Sequence, residues 1–174
     1  MLKIKLTGAS IGDFEDYYKI RCEASDIFWM GHTSPPNYQM IYGVFSERLG
    51  TNQLSKIGDK VIYMAKEDNN VTVGFVMLSL TSSGIEIGIS LFQKYQSLGL
   101  GTKIIAEALP MSLSYNHTVY ARIRDDNTAS QKIFIKNGFN RTEEFEMKEY
   151  PTVGNVAFRK YIYTLGANNN TQRK

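Results

Sequence analysis

The chain has 174 residues, 43% of them hydrophobic and 21% charged, with a net charge of +3 at neutral pH. This is ordinary globular composition in one domain large enough for a sizeable core, and it excludes a disordered chain. The charge is too mild to argue for nucleic acid but fits a ligand with phosphates. Cys22 stands alone, which excludes an internal disulfide and a multi-cysteine metal site. His32 and His117 lie far apart with no ligand spacing around them, so no metal is expected. No apolar run approaches the roughly 20 residues needed to cross a bilayer. The N-terminus alternates charge with aliphatics instead of resembling a signal peptide, so no membrane partner and a cytoplasmic location are expected.

The alternation over 2–6 predicts a first strand. Asp13 and Asp16 resemble a helix start, after which Phe14, Tyr17, Tyr18 and Cys22 share a face. Cys22 on that face reads as a small core residue. This helix is expected to give out near Ser25 and Asp26. Segment 27–37 mixes large aromatic residues with turn formers and has no clear period. Phe28 and Trp29 there read either as a plug packed on the core or as a substrate wall, with His32 facing either solvent or a substrate. Ser34 and Pro35 suit an N-cap and first helical residue. The helix that follows would turn Tyr38, Ile41, Phe45 and Leu49 inward and stop at Gly50.

The stretch 51–59 is polar and loop-like. Segments 61–67 and 71–80 read as a hairpin, with Gly74 marking a bulge or a close backbone approach. Ser82, Ser83 and Gly84 turn the chain into a buried strand over 85–91. A helical pattern begins at Ile104, so Gly99 and Gly101 sit where a strand becomes a helix. Glycine there allows close approach of a ligand, and the helix start directs unpaired N–H groups into the turn. That is either an anion cradle, suited to diphosphate, or a tight connection with no ligand. The P-loop and dinucleotide patterns are both missing. Pro110 predicts a kink or an end to the helix. A strand over 119–123, a helix running to Gly138 as its C′ residue, and strands over 140–147 and 155–165 complete the chain. The tail 166–174 is polar and expected to fray.

Gln96-x-x-Gly99-x-Gly101 resembles the acyl-CoA pyrophosphate loop of the GCN5-related N-acetyltransferases (GNAT). Asn127-x-x-Ser130-x-x-x-Phe134-x-x-x-Gly138-Phe139 is similar to the second CoA-binding motif of that family. Asn127 also suits a plain helix cap. Two motifs in the expected order make the resemblance specific, and it covers about 61–165. It implies a single α/β domain of the α+β type over 1–165, with a mixed, mostly antiparallel sheet flanked by helices and splayed between its fourth and fifth strands. Acetyl-CoA would lie in the splay, its pantetheine arm pairing with main chain around Ile89, Ser90 and Leu91. Amides of Gln96, Ser97, Leu98, Gly99, Leu100, Gly101 and Thr102 would hold the diphosphate. Asn127 would bond the pantetheine, Ser130 and Phe134 would line the thiol end, and Lys103 or Lys132 would screen phosphates.

The implied reaction is attack of a neutral amine on acetyl-CoA, which releases CoA. An alkyl ammonium has a pKa of about 10.4, so a proton must first be taken. Glu86, on the strand running into the splay, reads either as that base or as a structural contact. The family's usual acid is a tyrosine where this chain has Phe134. Another tyrosine (Tyr95, Tyr120, Tyr161 or Tyr163), solvent, or no acid at all would then serve the departing thiolate. The expected activity is N-acetylation of a small amine or amino sugar, with Phe28, Trp29, His32 and Tyr38 at the acceptor. A protein N-terminus or lysine is the runner-up. Phe134 keeps open a module that binds acyl-CoA without turnover. Pairing into a homodimer through the last strand is a further option.

Overall fold

The computed structural model describes residues 3–49 and 53–164. The expectations for Leu2, Gly50, Thr51, Leu165 and the tail 166–174 lie outside these. Strand β1 (Ile4–Gly8) runs antiparallel to β2 (Lys60–Glu67), β2 to β3 (Thr72–Thr81), and β3 to β4 (Gly84–Leu91). Between β1 and β2 lie α1 (Phe14–Arg21), α2 (Ala24–Trp29) and α3 (Tyr38–Leu49). Helix α4 (Leu100–Tyr115) then leads to β5 (Thr118–Arg124), which joins β4 in parallel. After α5 (Thr128–Lys136), the hairpin of β6 (Asn140–Tyr150) and β7 (Gly154–Thr164) completes a seven-stranded sheet of order β1-β2-β3-β4-β5-β7-β6. This is the mixed, mostly antiparallel sheet expected from the motifs.

Alternation along β4 divides the molecule into two layers. Ile85, Ile87, Ile89 and Leu91 face α4, whose Leu100, Ile104, Ile105 and Ala108 recur at helical spacing and form one core with them. On the other side of the sheet, Phe14, Tyr17 and Ile20 of α1 and Phe45 of α3 cover Ile62, Met64 and Phe75. Gly74 is both a bulge and a close approach. The β2–β3 register slips after Ala65↔Gly74, and a Cβ on Gly74 would sit 2.4 Å from the Ser90 carbonyl.

The parallel pairing of β4 with β5 comprises Ile85↔Val119 and Glu86↔Tyr120 and goes no further. β4 stays on β3 as far as Gly74↔Leu91, and β5 stays on β7 as far as Arg124↔Phe158. The two inner strand edges therefore separate and leave peptide groups facing a gap. Buried peptide groups need partners, and a polyamide ligand can supply them.

Three local expectations change. Ala24–Trp29 is a short helix in place of an aperiodic loop. Its residues are held by contacts remote in sequence, so no repeat announces it. Helix α3 begins at Tyr38, where the Asn37 side chain accepts the Met40 N–H, in place of a start at Ser34 and Pro35. Helix α4 continues through Pro110 to Tyr115. Pro110 and Ala106 are both exposed, so water can serve the carbonyl that lacks a donor.

Candidate active site

The gap opens onto the strand–helix turn. A single 3-10 turn over Gln93–Tyr95 leads to Ser97 at φ 60° and Gly99 at φ 74°, both in the left-handed region. Gly99 is the N-cap of α4, and no side chain caps that end. The first amides of a sixteen-residue helix are thus unclaimed, with the positive end of its dipole behind them. A Cβ on Gly99 would meet nothing within 4 Å, so this backbone is open to a ligand. At Gly101 a Cβ would lie 2.6 Å from Ile133 Cδ1, so glycine there lets α4 approach α5. Gln96 Nε2 donates to Ser25 Oγ at 3.0 Å and to the Leu91 carbonyl at 3.3 Å, which ties the turn to α2 and β4.

A cavity of about 460 Å³ follows the gap. Of the residues expected to hold the cofactor, Ile89, Ser90, Leu91, Gln96, Ser97, Gly99, Gly101, Thr102, Asn127 and Ser130 line it, and Trp29 lines it from α2. Asn127 Oδ1 accepts the Ser130 N–H at 3.0 Å, so this side chain caps α5 while it lines the cavity. Lys132 and Lys136, one turn apart on α5, add two cations to the wall. The amide cradle, the cationic wall and the unpaired strand edges fit a diphosphate followed by a polyamide arm.

Other expected residues lie elsewhere. Leu98 is exposed and Leu100 buried under the sheet. Phe134 is 2% exposed and packs edge-on against Phe139 at 5.0 Å, in the core and away from the cavity wall. None of Tyr95, Tyr120, Tyr161 and Tyr163 lines the cavity either. The Tyr120 hydroxyl pairs with Thr81 Oγ1, and Tyr161 is buried in the core. His32 is exposed. Tyr38 packs on Phe14 and Tyr18, and its hydroxyl donates to Glu15.

Glu86 sits where β4 and β5 still pair, on the face turned away from α4. Arg122 Nε donates to its Oε1 at 2.9 Å and Nη2 to its Oε2 at 2.8 Å, while Nη1 reaches Glu146 at 2.9 Å. Both oxygens of Glu86 are therefore engaged, and this bidentate bond raises the Arg122 pKa. Lys160 similarly pairs with Glu144 at 2.9 Å.

Two residues that the sequence did not single out dominate the surroundings of α2. Arg124, 2% exposed, donates to both oxygens of Asp126 and to the Phe28 carbonyl. Its guanidinium carbon is 4.9 Å from the Phe28 ring centre, 5.0 Å from that of Trp29 and 5.7 Å from that of Tyr150. Beside it, a Cβ on Gly31 would lie 1.6 Å from Tyr150 Cδ1. The end of α2 is thereby sealed against the β6–β7 hairpin. Asp26, 7% exposed, lines the cavity. Its Oδ1 accepts Ser90 Oγ at 2.7 Å, and Arg21 Nη1 lies 2.8 Å from its Oδ2. Burial pushes the Asp26 carboxyl above the ordinary carboxylate range, against the opposing pull of Arg21, Ser90 and His32.

A splayed mixed sheet with an amide cradle at the gap defines an acyl-CoA-binding transferase. The sequence profile of the acetyltransferase (GNAT) domain matches residues 3–140. The chain belongs to this family of acetyl-CoA-dependent N-acetyltransferases, for which CoA is the product. No curated protein matches the sequence. Among solved structures, it superposes on spermidine N-acetyltransferase from Vibrio cholerae, in complex with CoA and spermine, with a TM-score of 0.75. Identity there is 16%, over 91% of this chain and 94% of the other. Aminoglycoside acetyltransferase AAC(6')-Ib in complex with coenzyme A gives a TM-score of 0.74 at 16% identity, over 98% and 100% of the two chains. At such identities the likeness is one of fold. Among the described residues, no helix is long and apolar enough to cross a membrane.

Proposed function

We propose that this protein transfers the acetyl group of acetyl-CoA to a primary amine of a small molecule, with an amino sugar as the preferred class. The observation that carries this reading is the seal at Arg124. A protein N-terminus or lysine would need an open groove between Trp29 and the turn after Tyr150. Here the Tyr150 ring fills the place of a Gly31 Cβ, and Arg124 is gripped by rings from both sides. We read this packed cluster as a barrier to an extended peptide beside the cavity, which Trp29 lines from α2, and a small molecule suits such a site. Glu86, Glu144 and Glu146 each already face a cation, so this face has no unpaired carboxylate row to attract a polycation.

When bound, acetyl-CoA supplies a thioester carbon to the amine nitrogen. The chain's own residues hold and orient it. The amides from Gln96 to Thr102 and the two lysines of α5 take the phosphates, the free edges of β4 and β5 take the arm, and Trp29 shields the acyl end from water. Arg122 fixes Glu86 in the floor of the acceptor region, where its carboxylate orders the face. Thiol release from acetyl-CoA tests the proposal, with amino sugars, simple alkyl amines, polyamines and free-N-terminal or lysine peptides offered in parallel. Turnover of amino sugars or simple amines is expected, and turnover confined to peptides would refute the small-molecule reading.

A further inference from the structure

We infer that Ser90 and Asp26 form the proton-accepting pair for the acceptor amine, with Ser90 in contact with the substrate and Asp26 acting through it. This rests on the reading that the cavity holds acetyl-CoA and an amine. Ser90 lines the cavity within the segment of β4 whose inner edge is free, and its hydroxyl points to Asp26 Oδ1 at 2.7 Å. A hydroxyl whose proton is committed to a carboxylate offers its lone pairs to an incoming ammonium. Asp26 Oδ2 takes no hydrogen bond despite its closeness to Arg21, whose Nε is also unbonded. A buried carboxylate neutralised by Arg21 on one oxygen and bonded by a cavity-wall hydroxyl on the other can reach the cavity's proton only through that hydroxyl. Glu86 differs in that it does not line the cavity and the Arg122 fork holds both of its oxygens.

The proton balance is simple. The ammonium passes one proton to Ser90 Oγ as the Ser90 proton moves to Asp26 Oδ1, which leaves a neutral amine. The nitrogen forms the amide C–N bond and loses its second proton to solvent, while the C–S bond breaks with its electron pair on sulfur. Sulfur takes up the proton held by Asp26 through Ser90, and the pair is reset. The charged groups around Asp26 are Arg21 of α1, His32 beyond α2, and Lys132 and Lys136 across the cavity on α5. Burial lifts the Asp26 pKa toward the working pH, which improves it as a base.

Asp26→Asn, Ser90→Ala, the double variant and Glu86→Gln separate the roles. Acetyl-CoA affinity by calorimetry is read first, and loss of binding by the unmodified protein would overturn the enzyme reading itself. With binding retained, Asp26→Asn and Ser90→Ala should each lower kcat by about 10²-fold or more. The double variant should be no worse than the poorer single one. The acidic limb of kcat/KM should vanish with Asp26 and persist in Glu86→Gln. Carboxyl NMR of the protein alone, labelled at aspartate, gives a readout free of turnover. One aspartate should titrate above the others, disappear in Asp26→Asn and move further up in Ser90→Ala, which loses a donor to the ionised form. Additive losses, an unmoved Asp26 resonance in Ser90→Ala, or a limb that follows Glu86 would overturn the assignment. Ser90→Ala also keeps the question answerable should Asp26→Asn fail to fold.

Discussion

Arg124→Met tests whether the aromatic seal is held by the arginine cation. Methionine keeps a flexible apolar stem and removes the guanidinium. Three ring contacts between 4.9 and 5.7 Å are lost, worth about 1 kcal/mol each for a partly desolvated cation. The charged hydrogen bond to the Phe28 carbonyl goes too, worth about 1.5–3 kcal/mol. Asp126 has a 53% exposed side chain and rehydrates once unpaired, so it adds little. Apolar burial of methionine returns about 1–2 kcal/mol. The net loss is about 2.5–5 kcal/mol, a fall in Tm of about 5–20 °C for a chain of this size. Trp29 is the sole tryptophan, so its fluorescence reports on the seal without a substrate. Its emission should shift red and become more accessible to acrylamide quenching at temperatures well below the transition. An unchanged Tm together with unchanged Trp29 quenching would refute the reasoning.

Gly99→Val should abolish acetyl-CoA binding while leaving the fold intact enough to purify. Its Cβ points into open ligand space, and φ of 74° strains any branched residue, so normal affinity by calorimetry would contradict the cradle. Asp13 is buried, which alone would raise its carboxyl, but hydrogen bonds from Lys66 and Ser10 bring it below the ordinary value. A lowered folded pKa gives stability that is complete above the unfolded value of about 3.9 and is lost as pH falls through the folded one. Asp13→Asn should therefore cost about 3 kcal/mol at pH 7 in urea unfolding. That gap should close below about pH 4, and a gap independent of pH would contradict the Lys66 pairing.

Much of this molecule is written in local pattern. The alternation of Ile85, Ile87 and Ile89, and the spacing of Ile104, Ile105 and Ala108, place β4 and α4 because each repeat matches the period of its element. Gly99 and Gly101 mark the cradle because only a residue without Cβ suits both the turn and the packing on Ile133. The chemistry around α2 was not legible in that way. Asp26 is buried by Ser90 and Arg21, and Arg124 by Phe28, Trp29 and Tyr150. Those partners converge only after the sheet has formed, so no spacing within α2 or β5 signals them. Glu86 stands out in the sequence as a carboxylate on the strand that enters the splay, but its Arg122 partner lies on β5 and no spacing within β4 announces it. Asn127 caps α5 as a plain helix cap would, and it also lines the cavity.

Calorimetric titration of the protein with acetyl-CoA, with CoA and ATP as controls, tests the central claim most directly. The account predicts that acetyl-CoA and CoA both bind in the micromolar range, about −8 kcal/mol, with a change in Trp29 emission and no comparable binding of ATP. Absence of heat and of thermal stabilisation with acetyl-CoA would contradict it, because the gap between β4 and β5 would then have no claim to the cofactor.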